Sequence, residues 1–114
     1  MPINLSIIGA GGHAKVVVDS LECSAEDFQI NIFEEESEAQ GILLGGYSVK
    51  PLRDWGDINE YFHAAIGLNN ARARISKNAI KHNKKLFTIL HDLAIVSESA
   101  SLQGGVFVAA NSII

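Results

Sequence analysis

Residues 94–114 read AIVSESASLQGGVFVAANSII, and counted in sixes they put an aliphatic side chain at Val96, Leu102, Val108 and Ile114. The positions two before these, Ala94, Ala100, Val106 and Ser112, are all small or compact. Helices repeat every 3.6 residues or so and strands every two, so neither a helix nor a hairpin produces a period of six. A left-handed parallel β-helix does: each flat face takes about six residues, a large aliphatic side chain fills the prism, and a small residue sits where the chain turns. Three faces make one coil, so residues 96–113 supply a single coil and Ile114 opens the next. Repeat folds stack several such units to bury a continuous core, and residues 91–114 therefore read as the incomplete start of a β-helix.

Upstream of His91 the pattern belongs to another architecture. Leu5, Ile7 and Ile8 form a short apolar run that stops at Gly9-Ala10-Gly11-Gly12, after which Ala14, Val17, Val18 and Leu21 recur at helical spacing. This is strand, glycine turn, helix. Phe28, Ile30, Ile32 and Phe33 make a second strand ending in Glu34-Glu35-Glu36, at the distance a parallel crossover requires. Residues 37–60 carry Gly41, Gly45, Gly46, Pro51 and Gly56 and read as turns and short pieces, with one helical turn at Leu52–Trp55. Tyr61–Ile66 predicts a third strand stopped by Gly67, Asn69–Asn83 a second helix, and Leu86–Leu90 a fourth strand. Residues 1–90 thus describe a small Rossmann-like α/β domain, a parallel sheet flanked by helices.

The chain of 114 residues is 47% hydrophobic and 19% charged, the composition of a globular protein with a buried core. A net charge of -4 gives no footprint for a phosphate backbone, so nucleic acid is not an expected partner. The charge is unevenly placed: residues 1–60 hold 11 acidic and 3 basic residues, whereas residues 61–114 hold 2 acidic and 6 basic, and the halves should attract. Cys23 is the single cysteine, which excludes an intramolecular disulfide and multi-cysteine zinc sites. No apolar stretch approaches the roughly 18 residues of a membrane span, and with a lone cysteine the expected location is the cytoplasm.

Gly9-Ala10-Gly11-Gly12-His13-Ala14 matches G-x-G-x-x-A in the required strand-to-helix setting. Its glycines let the backbone turn and approach a ligand, and the helix start favours a phosphate or carboxylate. Glu34 stands about 20 residues beyond, where a carboxylate accepts hydrogen bonds from ribose hydroxyls or a base. The same residues also suit a glycine turn that only packs helix on sheet. His13 opens the helix, where the dipole favours a neutral ring, as a ligand contact or as an exposed residue with no task. Asn69 and Asn70 suit a helix cap, and Arg72 and Arg74 sit in a first turn against the dipole preference, for an anionic ligand, for the acidic half, or as a solvated face. Trp55, His63 and His82 read as packing or surface residues, and His91 as a structural residue at the join. No nucleophile-base pair, paired-carboxylate motif or metal-ligand spacing stands out, so no catalytic residue is assigned.

Three segments carry a family resemblance: Ile7-Ile8-Gly9-Ala10-Gly11-Gly12-His13-Ala14-Lys15-Val16-Val17, Ala65-Ile66-Gly67-Leu68-Asn69-Asn70-Ala71-Arg72, and Leu90-His91-Asp92-Leu93-Ala94-Ile95-Val96-Ser97 with the hexapeptides behind it. In this order they resemble the hexapeptide-repeat sugar acyltransferases of the sialic acid O-acetyltransferase and bacillosamine N-acetyltransferase type. The resemblance implies an N-terminal domain that holds a sugar or nucleotide-sugar acceptor, and a left-handed β-helix that binds acetyl-CoA and assembles as a homotrimer. It places Gly9, Gly11, Gly12, His13, Glu34, Glu35, Gly67, Asn69 and Arg72 at the acceptor site. Leu68 departs from the pattern, which has asparagine there, and the two glutamates replace aspartates. The family's catalytic histidine and acetyl-CoA site belong to later coils, beyond Ile114, so the resemblance implies the acceptor-binding piece of a longer acetyltransferase, inactive alone. A stand-alone NAD-type dinucleotide-binding or regulatory module is the alternative; G-x-G-x-x-A with Glu34 suffices for it, but the hexapeptides do not follow from it.

Overall fold

The computed structural model describes residues 2–35 and 43–114. Glu36 and Gly41, which the sequence places at a strand end and in a turn, lie outside the described residues. The chain begins with β1 (Ile3–Ile8), α1 (Gly12–Glu22) and β2 (Phe28–Glu35), a parallel βαβ unit in which Ile3 pairs with Phe28 and Ile8 with Phe33. After β3 (Leu43–Leu44), β4 (Tyr47–Leu52) pairs parallel with β2, then a 3-10 turn covers Trp55–Asp57. β5 (Tyr61–Ala64) returns beside β1, and α2 (Asn69–Lys81) leads to β6 (Lys85–Leu86). The sheet order is β3-β4-β2-β1-β5-β6, with only β3 antiparallel.

Alternation along the strands splits the core between the two sheet faces. Leu5, Ile7 and Ile32 face α1 and bury Ala14, Val17, Val18 and Leu21. Ile8, Phe33, Phe62 and Ala64 face the other way and bury Ile75 and Ala79 of α2. Fully burying one such aliphatic side chain stabilises by about 1.5–3 kcal/mol. The end of α2 explains why its pattern runs on to Asn83. Asn83 takes a left-handed φ of 64°, its N–H donates to the Ile80 carbonyl and the Lys84 N–H to that of Ala79, so the cap extends past the last helical residue.

Three sequence expectations are corrected. The turn-rich region contains β4, a six-residue strand, because Val49 is buried in the α1-side core and Pro51 lies in a parallel pairing with Glu34 that tolerates it. The helical turn lies at Trp55–Asp57, not Leu52–Trp55; Asp54 starts it by accepting the Gly56 N–H at 3.0 Å. The expected strand Leu86–Leu90 is broken: Lys85–Leu86 joins the main sheet, and β7 (Ile89–Leu90) leaves it to pair parallel with β8 (Phe107–Val108).

The tail forms the coil that its period of six predicts. Ile89 pairs with Phe107, Leu90 with Val108 and Ile95 with Ile113, each at an offset of 18 residues, three hexapeptides. Val96, Leu102 and Val108 are half-buried or buried, as are the small residues two before them, while Ile95 and Ile113 face out. The coil rests on the sheet body. Gly104 and Gly105 lie against Leu86, Thr88 Oγ1 donates to the Gln103 carbonyl at 2.6 Å, and Phe107 packs on the α1-side core. His91 braces the join, its Nδ1 accepting the Leu93 N–H at 3.0 Å.

Candidate functional site

β1 stands where the chain's winding reverses, with β2 on one side and β5 on the other, and ligands of open α/β sheets bind outside the strand ends at such a point. A cleft of about 400 Å³ opens there, between the turn after β1 and the loop after β5. Of the residues expected from the sequence, Gly9, Gly11, Gly12, His13, Glu34, Glu35 and Gly67 line it. The turn fits because Gly9 adopts a φ of 121° and passes so close to the second loop that a Cβ would lie 2.5 Å from the Ala65 carbonyl oxygen. Gly11 and Gly12 have open space in front of them instead.

Both helices start at this cleft, and neither is capped by a side chain or carries an acid in its first turn. Their first amides and the positive ends of their dipoles therefore remain for a ligand. The two carboxylates are divided between them. Consecutive residues of β2 point to opposite faces. Glu34 reaches the α1 side, where its Oε2 accepts the Ala10 N–H and its Oε1 the Glu35 N–H, each at 3.0 Å. Glu35 reaches the α2 side and pairs with Arg74 at 2.8 Å. This pair and Lys85–Glu60 at 3.1 Å each join the basic half of the chain to the acidic half.

Asn69 and Arg72 do not line the cleft. Arg72 donates to the Ile66 carbonyl at 3.1 Å and to Asn69 Oδ1 at 2.6 Å, bracing the second loop from behind. The cap expected of Asn69 or Asn70 falls instead to Leu68, because the loop enters the helix one residue earlier and Asn69 is already helical. Leu68, which the sequence marks only as a departure from the family pattern, and Ala71, to which it assigns no role, also line the cleft.

His13 is half-buried at the cleft, its ring edge-on to Phe107 of the coil at 5.7 Å between centroids. Phe107 meets a second ring, His63, at 6.4 Å. His63 is buried on β5 with Nδ1 2.9 Å from the Phe87 carbonyl, which can only accept, so Nδ1 carries the proton. Burial pushes the His63 pKa below its ordinary value; the Phe87 hydrogen bond opposes this, and positive charge at His13 and Arg72 adds to it. Trp55 and His82, read from the sequence as packing or surface residues, stack at 5.9 Å on the α2 side, Trp55 half-buried and His82 exposed.

Among the described residues no helix is long and apolar enough to cross a membrane. A search of curated proteins finds no match. Among solved structures, perosamine N-acetyltransferase from Caulobacter crescentus, in complex with CoA and GDP-perosamine, is 32% identical with a TM-score of 0.80, over 97% of this chain and 53% of that one. The acetyltransferase domain of PglB from Neisseria gonorrhoeae, in complex with acetyl coenzyme A, is 28% identical with a TM-score of 0.84, over 99% of this chain and 56% of that one. The chain therefore spans about half the length of these acetyltransferase structures. The family model of the PglD N-terminal domain matches residues 4–79, which hold the glycine turn, both glutamates and the second loop, and the chain belongs to that family.

Proposed function

We propose that this chain is the acceptor-holding N-terminal part of an acetyl-CoA-dependent sugar N- or O-acetyltransferase, and that its cleft takes a nucleotide-linked sugar. The observation that carries this is the cleft itself: two uncapped helix starts that attract phosphate, beside carboxylates that accept from hydroxyls or amines, next to a β-helix coil. The complex of the Caulobacter relative with GDP-perosamine supports the same ligand class. In this reading Gly11 and Gly12 let phosphate approach the backbone, Glu34 holds the turn through Ala10, and His13 hydrogen-bonds the acceptor.

Acetyl-CoA is the acyl donor this reading requires. In this reading its site falls to further coils of the β-helix, as does the base that takes the acceptor's proton. The whole enzyme is read as a cytoplasmic homotrimer; outward-facing Leu93, Ile95 and Ile113 on the coil support a face that other chain covers. The test is thermal: at equal concentration a nucleotide-linked amino sugar raises the melting temperature of the 114-residue chain more than NAD does. A larger shift with NAD would reverse the assignment.

A further inference from the structure

Among the described residues three polar side chains are buried, Ser6, Ser20 and His63, and of these only His63 changes its charge near neutral pH. The serine hydroxyls donate to Asn59 Oδ1 at 2.8 Å and to the Val16 carbonyl at 3.2 Å. His63, 2% exposed, stands where the two architectures meet. Phe87 is the first residue past β6; its N–H still donates to the Phe62 carbonyl of β5 at 2.8 Å, while its own carbonyl takes the His63 Nδ1–H at 2.9 Å. Just beyond, the Ile89 and His91 N–H groups donate to the Val106 and Val108 carbonyls of the coil at 2.8 and 2.9 Å. The imidazole thus holds the point at which the chain leaves the main sheet. Phe107 of the coil lies against it, and against His13 on its other side, so that His63, Phe107 and His13 form a row of rings running from the joint to the cleft.

With its proton on Nδ1, the His63 ring has Nε2 left for a second proton from solvent. The imidazolium so formed is poorly housed. His13 from α1 and Arg72 from α2 bring positive charge, the crossing segment and the coil bring the Phe87 carbonyl and the Phe107 ring, and among the described residues no carboxylate acts on it. A buried cation needs water or a counter-charge. The strands beside His63 are held by the sheet ladder, whereas the coil rests on the sheet body through Phe107, the Thr88–Gln103 hydrogen bond and the glycines against Leu86, so the coil is the piece that can lift to admit water. Resting on the acceptor-binding reading, we propose that His63 is a positioning residue of the cleft: its neutral ring seats Phe107, Phe107 seats His13 toward the acceptor, and a second proton on His63 unseats both. Burial holds the His63 pKa below its ordinary value, so the seat is complete above about pH 6.5 and weakens as pH falls toward the lowered value.

The test is amide hydrogen exchange, corrected for intrinsic rates, on the 114-residue chain as wild type and as His63→Gln, which keeps an N–H for the Phe87 carbonyl but does not titrate. Between about pH 7.5 and about pH 5.5 the Ile89 and His91 amides, which bind the coil, should lose about tenfold more protection than the Ala65 amide, which donates to Ile8 inside the sheet. In His63→Gln that excess should stay within about twofold; His13 and His91 titrate in both proteins, so the difference belongs to position 63. An equal excess in both, or none in the wild type, overturns the proposal. Calorimetry with UDP- and GDP-linked amino sugars reads the link to the cleft: over the same range wild-type affinity should fall about fivefold more than that of His63→Gln, and an equal fall overturns the positioning role. Should none of these sugars bind at the higher pH, the acceptor reading falls, and the exchange data alone decide whether His63 seats the coil. If His63→Gln does not fold, the wild-type His63 ring resonances decide: a titration midpoint more than about one pH unit from that of the coil amides overturns the proposal.

Discussion

Two glycines of one turn answer to different demands. At Gly9 a methyl group would meet the Ala65 carbonyl at 2.5 Å on a backbone of positive φ, so Gly9→Ala should lower stability by about 2 kcal/mol, measured by urea unfolding. At Gly11 nothing lies within 4 Å of the added Cβ. Gly11→Val should therefore fold as the parent does yet bind a nucleotide sugar about tenfold more weakly, because its branched side chain fills the space where a ligand meets the backbone. The motif marks both glycines alike; only the approach of a loop far along the chain separates them. His63 yields a third prediction. Its folded pKa lies below the unfolded one, so its contribution is complete above about pH 6.5 and falls as pH drops, by up to about 1.4 kcal/mol per unit until the folded pKa is reached. Melting midpoints followed from about pH 8 to about pH 5 check this, and His63→Gln should flatten the acid limb.

At the scale of elements, the start of α2 is the place where a small change should help. Leu68 caps the helix without a hydrogen bond, in an extended conformation that suits a capping side chain, and is 75% exposed. Leu68→Asp should add about 1 kcal/mol and raise the melting temperature by about 4 °C. The βαβ unit and α2 were legible because their apolar residues keep period and their ends carry glycine. β4 was not, since Pro51 reads as a turn residue beside Gly45 and Gly46, which are a turn, and the pairing with β2 that makes a strand of Tyr47–Leu52 is non-local. The run 86–90 has no internal signal for its break either. What divides it is the coil: Gly104 and Gly105 press on Leu86, and Thr88 Oγ1 accepts the Val106 N–H. The division of Glu34 and Glu35 between two helices follows from strand alternation and needed only the strand's end to be fixed.

Over the whole molecule, the two architectures are joined through aromatic rings. Phe107 touches His13 and His63 and packs on the α1-side core, so Phe107→Ala should cost about 3 kcal/mol and shift the His13 ring resonances in proton spectra. The tail's period predicts a coil but is silent on what the coil leans against, and so the contact of Phe107 with the cleft histidine was unreadable. The constant offset of 18 residues has a consequence of its own. Each further turn of the prism lifts the chain by one strand spacing, about 4.8 Å, so a group on an upper storey stands above the sheet edge at a height fixed by a whole number of turns. Lengthening or shortening the tail by 18 residues would move such a group by one step without rotating it, whereas any other change would carry it around the prism. The coil is in that sense a ruler, marked in turns, whose zero lies beside the cleft.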